Sequence, residues 1–466
     1  MARRLSGREA LRLLPTLRAD PLTAISELTR AHGDLVRVPL PRGNQLVLTS
    51  RPELVGHVLV SNQDNYRKAR TYRPLTEVLG NGLLTNEGES WAHQRKLVQP
   101  MFARRRIDAF APAMVDAAST AMDRWTALGS GSVVDVADEM SALTLDVVGR
   151  ALFSTDLSGE ASQMAPALET VLESFVKVVR HPLFLFVPDY HRWPTPARLR
   201  LRARGAERHL RSVVDGLIAR RRPETPGRAE TADRADSPGR ADNDLLDALL
   251  AARDDDGNPL DEQQIRDELM TFLLAGHETT ANALAWTLLL LSRHPDARDR
   301  LVAEVDDVLS GRAATAADVT KLEWTSAVLS ESMRLYPPAW MIEREARDAD
   351  ELDGIPVPAG SIVATPPYLV HRNPDHWPNP EGFDPHRFLP GAAGRHRLAY
   401  LPFGGGRRQC IGGGFAMLEA VLLLATITQR FELDLVPGHQ PQALTAVTLR
   451  PANGIPMTLR PRTNAA

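Results

Sequence analysis

What this sequence has least of is cysteine: Cys410 stands alone among 466 residues. A single thiol excludes an intramolecular disulfide and a zinc site built from several cysteines. Whatever Cys410 does, it does alone. Lysine is almost as scarce, at Lys68, Lys96, Lys177 and Lys321 only, so positive charge rests on arginine. With 55 basic and 58 acidic residues the formal net charge is -3, which makes no general case for a nucleic-acid partner. The basic N-terminus leads into a stretch, residues 10–17, that Arg12 interrupts and that is too short for a signal or membrane anchor. No repeat and no linker divides the chain. These absences predict a soluble, cytoplasmic protein without a membrane anchor, folded as one domain over 1–466, and a lone cysteine agrees with a reducing compartment.

Residues 35–40 and 45–49 are short β-rich runs around a turn and predict a hairpin. Most of the chain beyond them has a helical period, so the expected fold is mainly α with a small β region. An irregular piece, 69–82, carries Tyr72 and Pro74. Trp91 and Arg95 lie four residues apart on one helical face, where a stacked surface pair would explain them without chemistry. The run Arg104, Arg105, Arg106 is of the kind that usually makes a solvated helix face. The 181–188 connector is apolar for a loop between polar-faced helices, and core cover is its default reading. Residues 223–243 hold almost no large apolar side chain and predict a disordered inserted loop.

Residues 261–294 form a long helical segment stopped by Pro295, apolar from Leu269 to Leu291 except at Gly276-His277-Glu278-Thr279-Thr280. A membrane span would not tolerate that insert without strong reason. Polar groups inside a buried helix must be bonded or functional, since an unpaired one costs about 1–3 kcal/mol. A threonine hydroxyl bonded back to the preceding turn would satisfy the requirement structurally.

Cys410 sits in Phe403-Gly404-Gly405-Gly406-Arg407-Arg408-Gln409-Cys410-Ile411-Gly412, and an apolar run of helical length comes next. The glycines permit unusual turns and close approach to something flat or bulky, and a helix N-terminus favours a thiolate. On residue type alone Cys410 is either a metal ligand or an inert small hydrophobe. A phosphate cradle is a third reading, but no Lys-Ser/Thr comes after the glycines.

The spacing of Phe403, Gly406, Arg408, Cys410 and Gly412 resembles, position for position, the haem-binding loop of the cytochrome P450 family, and Ala275 to Thr280 resembles its oxygen-activation motif. The resemblance implies the triangular, single-domain P450 fold around haem b (iron protoporphyrin IX), with Cys410 as the metal ligand. It also implies that Trp91, Arg95, Arg344 and Arg408 contact the propionates, with Phe403 and Gly412 shaping the loop. Gly276 would leave room for dioxygen, Thr279 would hydrogen-bond it and Glu278 would relay protons. Glu331, Arg334 and Arg387 would be a structural charge cluster. Tyr72, Ala275, Ala339, Trp340, Met341 and Ile455, near the turn 453–455, would face substrate, with 183–188 an access lid.

The implied activity is insertion of one oxygen atom from O2 into an apolar small molecule, by hydroxylation or epoxidation of a terpenoid, fatty acid or macrolide. Electrons would come from a ferredoxin and its reductase docking near Arg95, Lys96, Arg104 and Arg407. Glu278 in place of Asp, with Pro337-Pro338 and Trp377-Pro378, resembles the branch that includes fatty-acid and microsomal enzymes. Two rivals keep the haem: a peroxide-dependent peroxygenase, which needs no acid–threonine relay, and a non-enzymatic haem or gas-binding protein.

Overall fold

A computed structural model of the chain describes residues 3–40, 43–154, 158–181, 197–221, 244–253, 257 and 259–462. The 183–188 lid and the 223–243 insertion expected from sequence lie outside the described residues.

Six helices and seven strands matter to the site: α1 (Gly88–Val98), α2 (Val136–Phe153), α3 (Ser158–Val179), α4 (Glu262–Arg293), α5 (Glu323–Leu335) and α6 (Gly413–Arg430); β1 (Leu35–Pro39), β2 (Gln45–Thr49), β3 (Tyr66–Lys68), β4 (Glu343–Ala346), β5 (Ile362–Ala364), β6 (Ala443–Thr445) and β7 (Leu449–Pro451).

The axis of the molecule is α4. Asp261 accepts from Gln264 N at 2.7 Å while the Gln264 side chain accepts from Asp261 N at 3.3 Å, a reciprocal cap that fixes the first turn. His294 closes the other end before Pro295. At 1.5 Å per residue the helix runs about 48 Å, and its middle is buried on almost every side, from Leu269 to Leu291. It packs against α2, α5 and α6. Within α6, Val421, Leu422, Leu423, Leu424 and Ala425 have no exposed surface. Each valine or leucine among them is worth about 1.5–3 kcal/mol of burial, so α6 is firmly seated in the core.

The largest of four sheets among the described residues is a mixed one in the order Arg3–Arg4, β1, β2, β5, β4, β3. The expected hairpin is its β1–β2 pair, antiparallel with Leu35 opposite Thr49. At the far edge β3 pairs antiparallel with β4, which sets Lys68 directly across from Arg344. A separate two-stranded hairpin, β6–β7, turns at 446–448.

Glu331 and Arg334 on α5 are wholly buried and joined by two bonds of 2.7 and 2.8 Å. Arg334 also donates to His371 O, Pro380 O and Gly382 O. Glu331 accepts from Asp384 N at 2.8 Å and stands 3.5 Å from Arg387 Nε. The cluster thus ties residues 371–387 to α5. His371 Nε2 in turn accepts from Leu401 N, and Tyr400 Oη donates to Ser330 O, so the segment entering the cysteine loop hangs from this buried ion pair.

Candidate active site

The cysteine loop is a turn closed by Cys410 N donating to Phe403 O at 2.9 Å. Gly404 and Gly406 have φ of 72° and 69°, a region side chains avoid, and a Cβ on Gly406 would overlap Leu59 O. Cys410 lies three residues before α6. Its side chain is accessible, yet protein crowds around it: burial pushes the thiol up, while the Gly412 N–H and the Arg95 charge pull it down. Burial outweighs what the Gly412 N–H and Arg95 offer the sulfur. A thiolate here needs a cation against it, as a bound metal supplies.

A second group lies at the β3–β4 edge. Lys68 and Arg344 face each other across the strand pair, an arrangement of like charges that destabilises a ladder. Arg408 belongs to the same group: its guanidinium stacks 3.8 Å above the Trp91 ring, pairs with Glu87 at 2.9 Å and donates to Asn86 O. Burial first, then Arg344 and Arg408, drive the Lys68 amine well below its usual value. Arg408 is pulled to about 10, by burial and by its cationic neighbours Arg344 and Arg407, against Glu87. Three cations with one nearby carboxylate suit a group carrying two negative charges, as the propionates of haem do.

Trp91 therefore stacks on Arg408 rather than on Arg95. Arg95 instead donates to Gln409 O at 2.9 Å, next to Cys410. Tyr72, expected in the substrate pocket, is in the cation group: burial raises the pKa of its phenol, Arg344 lies close enough to lower it, and Lys68 Nζ lies 5.2 Å from its ring centre. Lys68 was missed by sequence reasoning, although its rarity in this chain was a signal.

On α4, Thr279 Oγ1 donates to Ala275 O at 2.7 Å, the back-bond that the sequence allowed. Glu278 accepts from Thr448 Oγ1 at 2.6 Å, and Thr448 in turn accepts from Asn282 Nδ2 at 3.1 Å. Burial raises the Glu278 carboxyl, against Thr448 and the Arg450 charge, so it tends to hold its proton. His277 points to Ser141 on α2 at 2.8 Å, and burial lowers it to about 4. A Cβ on Gly276 would lie 3.0 Å from Val148 Cγ2. Gly276 therefore also serves the close approach of α2 to α4. A further acid, Glu419 of α6, is wholly buried against Thr280, with its carboxyl pushed well above the ordinary range by burial. Nothing in the sequence separated it from a surface glutamate.

Trp340 Nε1 donates to Ala446 O, and both Trp340 and Met341 pack on the cluster of Leu5, Ile25 and Leu28; Ala339 is exposed. Ile455 is not brought to α4's polar insert by its backbone: its amide bonds Asp135, and its carbonyl accepts from Val136 N. The C-terminal segment that touches Glu278 is the earlier turn at Thr448, because β6–β7 is the hairpin that leans on α4.

The family model described as Cytochrome P450 matches residues 11–455. The chain belongs to the cytochrome P450 family. Among curated relatives it is 40% identical to "Cyclooctatin synthase" of Streptomyces melanosporofaciens, over 94% of this chain and 91% of the relative. It is 37% identical to "Cyclooctat-9-en-7-ol 5-monooxygenase" of the same organism, over 90% and 86%. The crystal structure of the cytochrome P450DA heme domain superposes with a TM-score of 0.81 at 26% identity, covering 96% of this chain and 94% of that one. The mainly α P450 fold expected from sequence is borne out. With it comes the enzyme class, a P450 monooxygenase, and a haem-thiolate cofactor that the accessible lone thiol and the cation group fit. Among the described residues no helix is long and apolar enough to cross a membrane.

Proposed function

We propose that this P450 oxygenates an apolar terpenoid, with haem b as cofactor and a ferredoxin with its reductase as electron source. The observation that carries the reading is the lone, accessible Cys410 thiol on a loop that also places Arg408 with Lys68 and Arg344 in one cation group. The terpenoid class is supported by the relative whose name places oxygen on a cyclooctat-9-ene skeleton.

Haem b, when bound, supplies the splitting of dioxygen by two electrons and two protons, with one oxygen atom entering the substrate and the other leaving as water. Cys410 holds the iron, with Arg95 and the Gly412 N–H beside the sulfur. Lys68, Arg344 and Arg408 neutralise the propionates, and Trp91 keeps the Arg408 plane in place. Thr279 has a hydroxyl that can turn from Ala275 O to donate a proton into the site. Glu278, whose carboxyl burial raises against the Thr448 bond and the Arg450 charge, is the store from which that proton is replaced. Ala275 offers a small side chain at the same turn, and Ala339, Trp340 and Met341 are retained as pocket-side candidates beside the β6–β7 turn. For the electron donor, a groove of about 590 Å³ runs along α1, lined by Arg95, Lys96, Pro100 and Phe102. Its two cations next to the cysteine loop suit an acidic protein.

The test is the spectrum of the purified protein, reduced under carbon monoxide and then titrated in the ferric state with terpenes, fatty acids and macrolactones. A thiolate-type Soret band and a low-to-high-spin shift with terpenes are expected. A shift with fatty acids alone would remove the substrate class, and turnover with peroxide but not with ferredoxin would favour a peroxygenase.

A further inference from the structure

The β6–β7 hairpin is bonded to two helices at once. Toward α4, Thr448 reaches Glu278 and Asn282, and Leu449 O accepts from Trp286 Nε1 at 3.0 Å. Toward α3, Arg450 pairs with Glu169 at 2.7 Å and with Glu173 at 3.6 Å. Just beyond α3, Arg180 donates to Thr445 O and Oγ1. Arg450 is mostly enclosed, at 16% side-chain exposure, whereas Glu169 and Glu173 are half exposed. Its Nε is buried with no partner among the described residues. A guanidinium so enclosed stays where its two carboxylates hold it. Two residues earlier, in the turn, Thr448 carries the bond to Glu278.

We infer that Arg450 is a positioning residue: held by Glu169 and Glu173, it sets the charge that faces Glu278, and so links where α3 sits to whether Glu278 keeps its proton. The inference rests on the reading of Glu278 as the proton store. The groups bearing on Glu278 are Thr448 and Arg450 from the hairpin and Glu169 from α3. His277 on the same helix is turned to Ser141, and Glu419 of α6 meets Thr280. Arg450 favours the carboxylate and Glu169 the neutral acid, so the two act with opposite sign. A shift of α3 that carries the two glutamates away leaves Arg450 free to draw the proton off Glu278; their return restores it. Proton delivery is thereby tied to the pose of a helix that no catalytic atom touches.

The experiment is an infrared pH titration of the Glu278 carboxylic C=O band in the full-length haem protein, with the band assigned by its loss in Glu278→Gln. Arg450→Gln should move the midpoint up, and the double variant Glu169→Gln, Glu173→Gln should move it down. A residue that merely holds the hairpin would move both variants the same way. Parallel shifts, no shift, or no Glu278 band in the wild type would overturn the inference. The carbon monoxide spectrum of each variant separates this from the function itself. A wild type without the thiolate band refutes the monooxygenase reading, whatever the infrared midpoints do.

Discussion

At the scale of single residues, the site depends on groups that are uncomfortable without what they hold. Lys68 and Arg344 oppose each other across a strand pair, and Arg408 adds a third cation to the same group. An anion bonded there gains charge-assisted bonds of about 1.5–3 kcal/mol each. Arg344→Gln should therefore speed haem loss to a scavenging apoglobin by roughly 10- to 100-fold, by the usual conversion of about 1.4 kcal/mol per decade. An unchanged rate would take Arg344 out of the propionate contacts. Thr279 poses a different question, because its hydroxyl is already satisfied by Ala275 O. Thr279→Val removes the donor with little change of shape. It should keep the carbon monoxide band while diverting NAD(P)H electrons from product to hydrogen peroxide, read as product formed per reductant consumed. Full coupling in that variant would return Thr279 to a purely structural role.

At the scale of elements, the buried Glu331–Arg334 pair supports the cysteine loop from behind. Its partners are carbonyls of residues 371, 380 and 382, and the same segment presents His371 to Leu401 N. Breaking a buried pair from one side strands the remaining charge, at a cost of about 3–5 kcal/mol. Glu331→Gln should lower the unfolding free energy by that amount. It should also reduce haem content measured as the Soret-to-protein absorbance ratio, since Leu401 enters the loop. Full haem content with unchanged denaturant midpoint would show that the loop stands without the pair. The sequence made α4 readable nearly to the residue, because its capping acid, apolar run and terminal proline are local signals. The turn that meets Glu278 was not readable: 453–455 and 446–448 are both plausible turns. Only the pairing of Ala443 with Pro451 and of Thr445 with Leu449 decides which one leans on α4. The contact of Gly276 with Val148 was unreadable for a similar reason, since what a missing Cβ makes room for depends on the neighbouring helix.

At the scale of the whole molecule, stability reflects how many ionisable groups the α-helical body encloses, and these act in opposite directions with pH. His277 and His371 are lowered by burial, to about 4 and about 3. Both stay neutral in the fold while the unfolded chain takes up protons below about 6.5, so they cost stability as pH falls. Glu268 on α4 is the counterweight. Burial raises its carboxyl from 4.5 to about 7, opposed by the bond from Leu83 N and aided by Asp267. A folded acid that binds its proton more tightly than the unfolded one stabilises fully below about pH 4.5. That contribution is lost progressively as pH rises toward 7, by up to ~3 kcal/mol at about 1.4 kcal/mol per unit. Glu268→Gln keeps an acceptor for Leu83 N and removes the titration. The difference in Tm between variant and wild type should therefore grow in the variant's favour from about pH 5 to about pH 7.5 and then level off. Thermal unfolding of both haem proteins across that range is the check: parallel curves would mean that Glu268 ionises in the fold as it does in the unfolded chain.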